Sequence, residues 1–294
     1  MLSLRHILLP TDFSRRSVVA ARHAAPLAKH FHSKITLLHV AQVVRLSPGD
    51  VQVKRIVVEE TLAEHQKQVR AQLHSFLAEE LAEFEVNRVL AEGDPAGKIV
   101  EYAHSENVDL IMMPTRGWGT FRRFILGSVT AKVLHDVRCP VWTGVHIEEP
   151  AEEAAPPVRT VLCAIDLASN VSEHLRWASW FAKEFDAELV IVHAIPSFEF
   201  TPETVYLQSE LLRLMSSEAK EKVVKMLGEC APPGIQIQQV LAGGSVSKVV
   251  RTAAENHGAG LVVIGRASAA GLLGRLRTDA YAIIRDSPCP VISV

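Results

Sequence analysis

Residues 5–14 read RHILLPTDFS and residues 159–169 read RTVLCAIDLAS. Each stretch leads from an arginine through a short apolar run to an aspartate, Asp12 or Asp166, and the two aspartates stand 154 residues apart. Working outward at the same spacing, ITLLHV (35–40) falls on LVIVHA (189–194). Further on, EGDPAGKIV (92–100) matches AGGSVSKVV (242–250), and DLIMMP (109–114) matches GLVVIG (260–265). CPVWTG from Cys139 matches CPVISV from Cys289. Five blocks in one order, at nearly constant spacing, make the chain two copies of one unit.

The unit itself alternates. Its apolar runs are short, rich in β-branched residues and nearly continuous, as strands buried on both faces are. Between the second and third runs, Leu62, Val69, Leu73, Phe76, Leu77 and Leu81 recur at steps of three and four, which predicts one face of a long helix. The resulting β-α-β-α-β-α-β-α-β pattern, with right-handed crossovers, gives an α/β fold: two tandem Rossmann-like domains, each a five-stranded parallel sheet with helices on both faces. The first domain is expected over residues 1–146 and the second over 158–294. Residues 147–157, acidic and proline-bearing with no apolar period, read as a solvated linker.

Composition narrows the classes of function. With 294 residues and 48% hydrophobic residues there is material for two cores. The net charge of −2 supplies no general field for nucleic acid or an anionic membrane. No run approaches the ~18 apolar residues of a bilayer span. The apolar run at the start is interrupted at Thr11 and Asp12, too early for a signal peptide. Cys139, Cys163, Cys230 and Cys289 show no metal-ligand spacing and read as small buried hydrophobes. A cytoplasmic protein without nucleic-acid or membrane partners is expected.

In a doubly wound sheet, ligands bind beyond the carboxyl ends of the strands where the strand order reverses. The first strand of copy one ends in Pro10-Thr11-Asp12. A carboxylate there can accept from a ribose hydroxyl or an adenine amino group; equally, Asp12 or Ser14 can cap the helix that follows. The fourth strand runs into Pro114-Thr115-Arg116-Gly117, and Gly127-Ser128-Val129-Thr130 opens the next helix. Glycines let backbone N–H groups approach phosphate oxygens, and a helix amino end favours anions. Ser128 reads either as a donor to such an anion or as an N-cap. Arg116, Arg122 and Arg123 add cations that suit a polyphosphate, or else form a solvated helix face.

Other apparent motifs dissolve on inspection. GDPAGK (93–98) has three residues between its glycines where a P-loop has four, and Ile99 follows its lysine; it reads as a turn and helix start. His30 and His32 suit a helix carboxyl end better than a metal site. There is no GxSxG turn.

With these residues in hand, the chain resembles the universal stress protein family over nearly its whole length, twice. The family's phosphate loop is written G-x2-G-x9-G-[S/T]. Gly117, nine intervening residues and Gly127-Ser128 fit its latter part, while Pro114 replaces its first glycine and removes a backbone N–H. The resemblance implies ATP, with or without Mg2+, as cofactor of the first domain. Asp12 would hold adenine or ribose, and Val40 would meet adenine through its backbone. Met113, Pro114, Arg116 and Gly117, with Gly127, Ser128, Val129 and Thr130, would line the ribose and phosphates. In copy two, Arg277-Thr278-Asp279 stands opposite Gly127-Ser128-Val129, so that copy is read as a non-binding partner. The resemblance also implies pairing through the last strands, here internally through the Val141 and Val291 strands, together with a homodimer.

Three functions compete. The first is a cytoplasmic stress-response protein that binds an adenine nucleotide in copy one and uses copy two as a scaffold. The second is an interaction module that binds no nucleotide. The third is a nucleotide-consuming enzyme such as an adenylating ligase, which would carry an SGGxDS-like loop where this chain has PTDFS (10–14). With no positioned base or metal carboxylate pair, no catalytic residue is assigned and at most slow ATP hydrolysis is expected.

Overall fold

The structure is a computed structural model that describes residues 3–41, 55–115, 126–144, 158–167, 172–195, 205–266 and 278–294. Copy one contains β1 (His6–Thr11), α1 (Arg15–Phe31), β2 (Lys34–Ala41), α2 (Arg55–Ser75), β3 (Val86–Glu92), α3 (Pro95–Ser105), β4 (Leu110–Met113), α4 (Ser128–Asp136) and β5 (Val141–Thr143). Copy two repeats the order with β6 (Thr160–Ala164), α5 (Ser172–Glu184), β7 (Glu188–Ile195), α6 (Val205–Cys230), β8 (Ile237–Gly243), α7 (Val246–Asn256), β9 (Leu261–Ile264), α8 (Thr278–Asp286) and β10 (Val291–Ser293). Within each copy the strands are parallel.

The two sheets are one. Strand order runs β3-β2-β1-β4-β5-β10-β9-β6-β7-β8 across a 10-stranded sheet. At its centre β10 pairs antiparallel with β5, placing Val291 opposite Thr143 and Ile292 opposite Trp142. The Thr143 hydroxyl also donates to the Val291 carbonyl at 2.9 Å. This junction covers the last-strand edge of both copies, edges that would otherwise expose unpaired backbone groups.

Alternation along each strand feeds two separate cores. Ile7 and Leu9 of β1 join the helices α1, α2, α5 and α6 on one face, while Leu8 joins α3, α4, α7 and α8 on the other. Both cores are continuous across the junction. On the first face α1 meets α5 at positions that are copies of one another: His30 Nε2 lies 2.9 Å from Glu184 Oε1, and the Phe31 and Phe185 rings meet edge-on at 5.8 Å. Each of these pairs is separated by the 154 residues of the repeat, so the local two-fold relation passes between them.

The long helix between β2 and β3 is shorter than its apolar stripe. It ends at Ser75; Leu77 takes a left-handed φ of 57°, and Leu77 and Leu81 continue the buried line from a series of turns. Arg88 of β3 explains the stop, since its guanidinium donates to the carbonyls of Leu73 and Phe76, both at 2.7 Å, and terminates the helix. The segment GDPAGK is a helix start: Asp94 caps α3 by accepting from Gly97 N, and Pro95 is the first helical residue. His32 is the left-handed cap that closes α1. Of the cysteines, Cys163 and Cys289 are buried and Cys139 and Cys230 half-buried. Burial pushes the Cys139 and Cys289 thiols up to about 11, so neither is a nucleophile at neutral pH.

Candidate functional site

The order β2-β1-β4 puts the reversal of copy one between β1 and β4. There the ladder opens early. β1 pairs with β2 over six positions, His6 to Thr11, but with β4 only at Ile7↔Leu110 and Leu8↔Ile111. In copy two the corresponding strands stay paired two positions further, through Cys163↔Val263 and Ala164↔Ile264. Pro10 supplies a physical reason: it occupies the position of Ala164 and has no N–H to donate across the ladder. The β1–β4 ladder of copy one therefore stops short of the carboxyl ends of its two strands.

The amino end of α4 closes over this edge. Gly127 N donates to the Thr115 carbonyl at 2.9 Å, and the Thr130 hydroxyl donates to the Pro114 carbonyl at 3.1 Å. Thr130 thus serves as a structural pin through its side chain. Gly127, in extended conformation, is the N-cap, and Ser128 is the exposed first helical residue. Gly127 has no side chain with which to cap α4, so the N-cap residue itself places no acceptor on the positive end of the helix dipole. Met113 is buried and Pro114 half-buried. Arg116 and Gly117 lie outside the described residues.

On the β1 side, the half-buried Asp12 carboxylate braces the turn that leads into α1. Asp12 Oδ1 accepts from Ser14 N at 3.0 Å and from the Ser17 hydroxyl at 2.9 Å, while Ser14 is the N-cap of α1. The Thr11 hydroxyl accepts from Phe13 N at 3.0 Å. Val40 lies one residue beyond the last β1–β2 pair, Thr11↔His39, while its other side pairs with Ala91 of β3.

Two residues here had no role in the sequence reading. Phe13 adopts φ 63°, a left-handed conformation that costs a β-substituted residue on the order of 1 kcal/mol or more. Its ring packs on His39 at 4.3 Å and on Phe76 at 5.4 Å, which holds the turn after β1 in place. His39 Nδ1 donates to the Thr11 carbonyl at 2.8 Å, and His193 repeats the bond to Ile165 at 3.0 Å. The recurrence of histidine at the repeat spacing was a usable signal for a conserved geometry between strands one and two of each copy.

Copy two differs in the same region. Its helix α8 starts at Thr278 with Asp279 in the first turn, a carboxylate where copy one has Val129. Behind the strand end, His174 of α5 fills the space against Gly265, where copy one has Ala20 and Pro114. A Cβ on Gly265 would stand 2.6 Å from His174 Nδ1. Gly265→Ala is therefore expected to destabilise the protein by about 1–3 kcal/mol, and His174→Ala should remove most of that penalty in the double variant. Urea denaturation of the four proteins checks this; strictly additive losses would show that the two residues do not collide.

The universal stress protein family model matches residues 3–143 and again 157–294. A universal stress protein of Methanocaldococcus jannaschii is 31% identical over 149 residues, which is 51% of this chain and 85% of that protein. The crystal structure of a universal stress protein from Archaeoglobus fulgidus superposes on the whole chain with a TM-score of 0.67 at 23% identity, covering 100% of this chain and 97% of the other. A universal stress protein solved in complex with cAMP covers 47% of this chain and 98% of its own, at 21% identity and TM-score 0.32. Among the described residues no helix is long and apolar enough to cross a membrane.

Proposed function

The chain belongs to the universal stress protein family, and from that premise we propose that copy one is an adenine-nucleotide site, with ATP as its ligand, and that copy two is its paired scaffold. The observation that carries this reading is the difference between the copies at the sheet reversal. In copy one the β1–β4 ladder stops at Leu8↔Ile111 and the helix start has a glycine N-cap; in copy two the ladder continues to Ala164↔Ile264 and the helix start carries Asp279. An interaction module with no nucleotide would give no reason for this asymmetry.

In this reading Asp12 accepts from a ribose hydroxyl and the backbone of Val40 meets the adenine edge. Pro10 and Thr11 shape the floor. Met113, Pro114, Arg116 and Gly117 flank the ribose and phosphates, and the N–H groups of Ser128, Val129 and Thr130, with the Ser128 hydroxyl, meet the phosphates. Thr130 contributes backbone alone, because its hydroxyl is held by Pro114. Mg2+ would arrive on the phosphates and neutralise part of their charge. No catalytic residue is assigned in this reading, which allows at most slow ATP hydrolysis. The same reading gives the protein a stress-response role in the cytoplasm, with family membership as its support.

The test is calorimetric titration of the full chain with ATP, with Gly127→Asp as control. Gly127 has the extended geometry of an N-cap, φ −61° and ψ 142°, where aspartate is favoured. The substitution should leave folding intact, and it sets a negative charge where phosphate would lie. Binding near one ATP per chain, weakened roughly 100-fold or more in the variant, is the expected result. Absence of binding by the folded wild-type chain would leave the interaction-module reading in its place.

A further inference from the structure

The position that opens the candidate nucleotide loop in copy one, Thr115, is an arginine in copy two, Arg266. Its backbone stays in copy two, where Arg266 N donates to the Val294 carbonyl at 2.7 Å. Its side chain leaves. The guanidinium crosses the junction and donates to the carbonyls of Val137 at 2.7 Å, Arg138 at 3.2 Å and Cys139 at 2.7 Å in copy one. Those carbonyls follow the last turn of α4, the negative end of the helix whose amino end forms the candidate phosphate site. A planar fork of donors matches such a cluster, and a lysine would not.

The same turn in copy two is satisfied differently. Ser287 stands where copy one has Val137, and its hydroxyl donates to the Cys289 carbonyl at 2.7 Å. Copy two therefore closes its own turn with a local hydroxyl, while copy one has no hydroxyl at that position and takes its donor from the other copy. The two differences, Val137 for Ser287 and Arg266 for Thr115, complement one another. A second contact runs alongside, from the Tyr281 hydroxyl of α8 to the Ala131 carbonyl of α4 at 3.5 Å.

We propose that Arg266 is a positioning residue for the copy-one site: by gripping the carboxyl end of α4 it fixes the amino end of that helix against β4, so that copy two sets the nucleotide affinity of copy one. The inference rests on the nucleotide reading above and adds its regulation. A nine-residue helix transmits a displacement at one end to the other nearly as a rigid rod. By linkage, nucleotide binding at the amino end must tighten the junction to the same extent that the junction tightens binding.

The experiment compares the full chain with Arg266→Gln, Arg266→Lys and the double variant Val137→Ser with Arg266→Gln. Each is titrated with ATP, and the exchange of α4 amide hydrogens is followed without nucleotide. Arg266→Gln is expected to weaken ATP binding roughly tenfold and to speed exchange in α4. Arg266→Lys, which keeps the charge without the fork, should fall between, and it carries the test if the glutamine variant does not fold. Val137→Ser supplies copy two's own hydroxyl and should restore part of the affinity, which a merely destabilised junction would not allow. Wild-type affinity and unchanged α4 exchange in both Arg266 variants would overturn the inference while leaving the nucleotide reading intact. A wild-type chain that binds no ATP would remove the nucleotide reading, and this inference with it.

Discussion

Phe181→Ala is expected to lower the free energy of unfolding by about 3–5 kcal/mol and to move the unfolding of both copies together. Phe181 is fully buried on α5. Its ring stacks on Trp177 at 5.1 Å, meets Phe185 at 4.6 Å, and lies 6.2 Å from Trp142 of β5 in copy one. Truncation removes a large apolar side chain and leaves a cavity that rigid aromatic neighbours cannot readily fill, which puts the loss at the upper end for a core substitution. Because the core on this face runs through both copies and the sheet is continuous, the loss should not be confined to copy two. Urea unfolding followed by tryptophan fluorescence and by far-ultraviolet circular dichroism checks this. A loss under about 1 kcal/mol, or two separated transitions of which only one moves, would show that the junction is not part of a shared core.

The second large effect is acid destabilisation through His174. Burial pushes its imidazole down from 6.5 to about 4, and the side chain is only 5% exposed. The folded protein therefore holds it neutral where the unfolded chain would protonate it. Stability is full above the unfolded value, falls as the pH drops through 6.5, and has lost about 3 kcal/mol from this group near pH 4, below which the loss levels off. His6 and His23 are pushed down by burial as well, His6 also by the nearby Lys34, and they act in the same direction. His174→Leu should leave stability at pH 7 within about 1–2 kcal/mol of wild type and flatten the decline between pH 6.5 and 4. Urea midpoints across that range decide the matter: parallel wild-type and variant curves would mean that His174 titrates normally in the folded state.

Much of the molecule was legible without its structure because repetition is a long-range signal. Five matched blocks established two copies, and nearly continuous apolar runs established parallel strands buried on both faces. A helix start at GDPAGK (93–98) and another after Asp12 or Ser14 were visible, since turn and capping signals depend on neighbours in sequence; which residue caps each helix, Asp94 and Ser14, came from the structure. The opening of α4 was read correctly at residues 127–130, although Gly127 and not Ser128 is the N-cap. Where the reading overran, at Leu77 and Leu81, the stripe continued but the helix did not, because the residue that ends it, Arg88, comes from a neighbouring strand.

By itself, then, the sequence determined the repeat, the fold class and the strand edge at which a ligand would be sought, because each of these follows from periodicity and local propensity. Only the tertiary structure decided how far the β1–β4 ladder runs, that Thr130 spends its hydroxyl on Pro114, that His174 fills the space against Gly265, and that Arg266 serves the other copy. These depend on which groups meet across 16 to 129 residues of chain. A side chain's donors are fixed by its chemistry, but its partner is chosen only when the chain has folded around it.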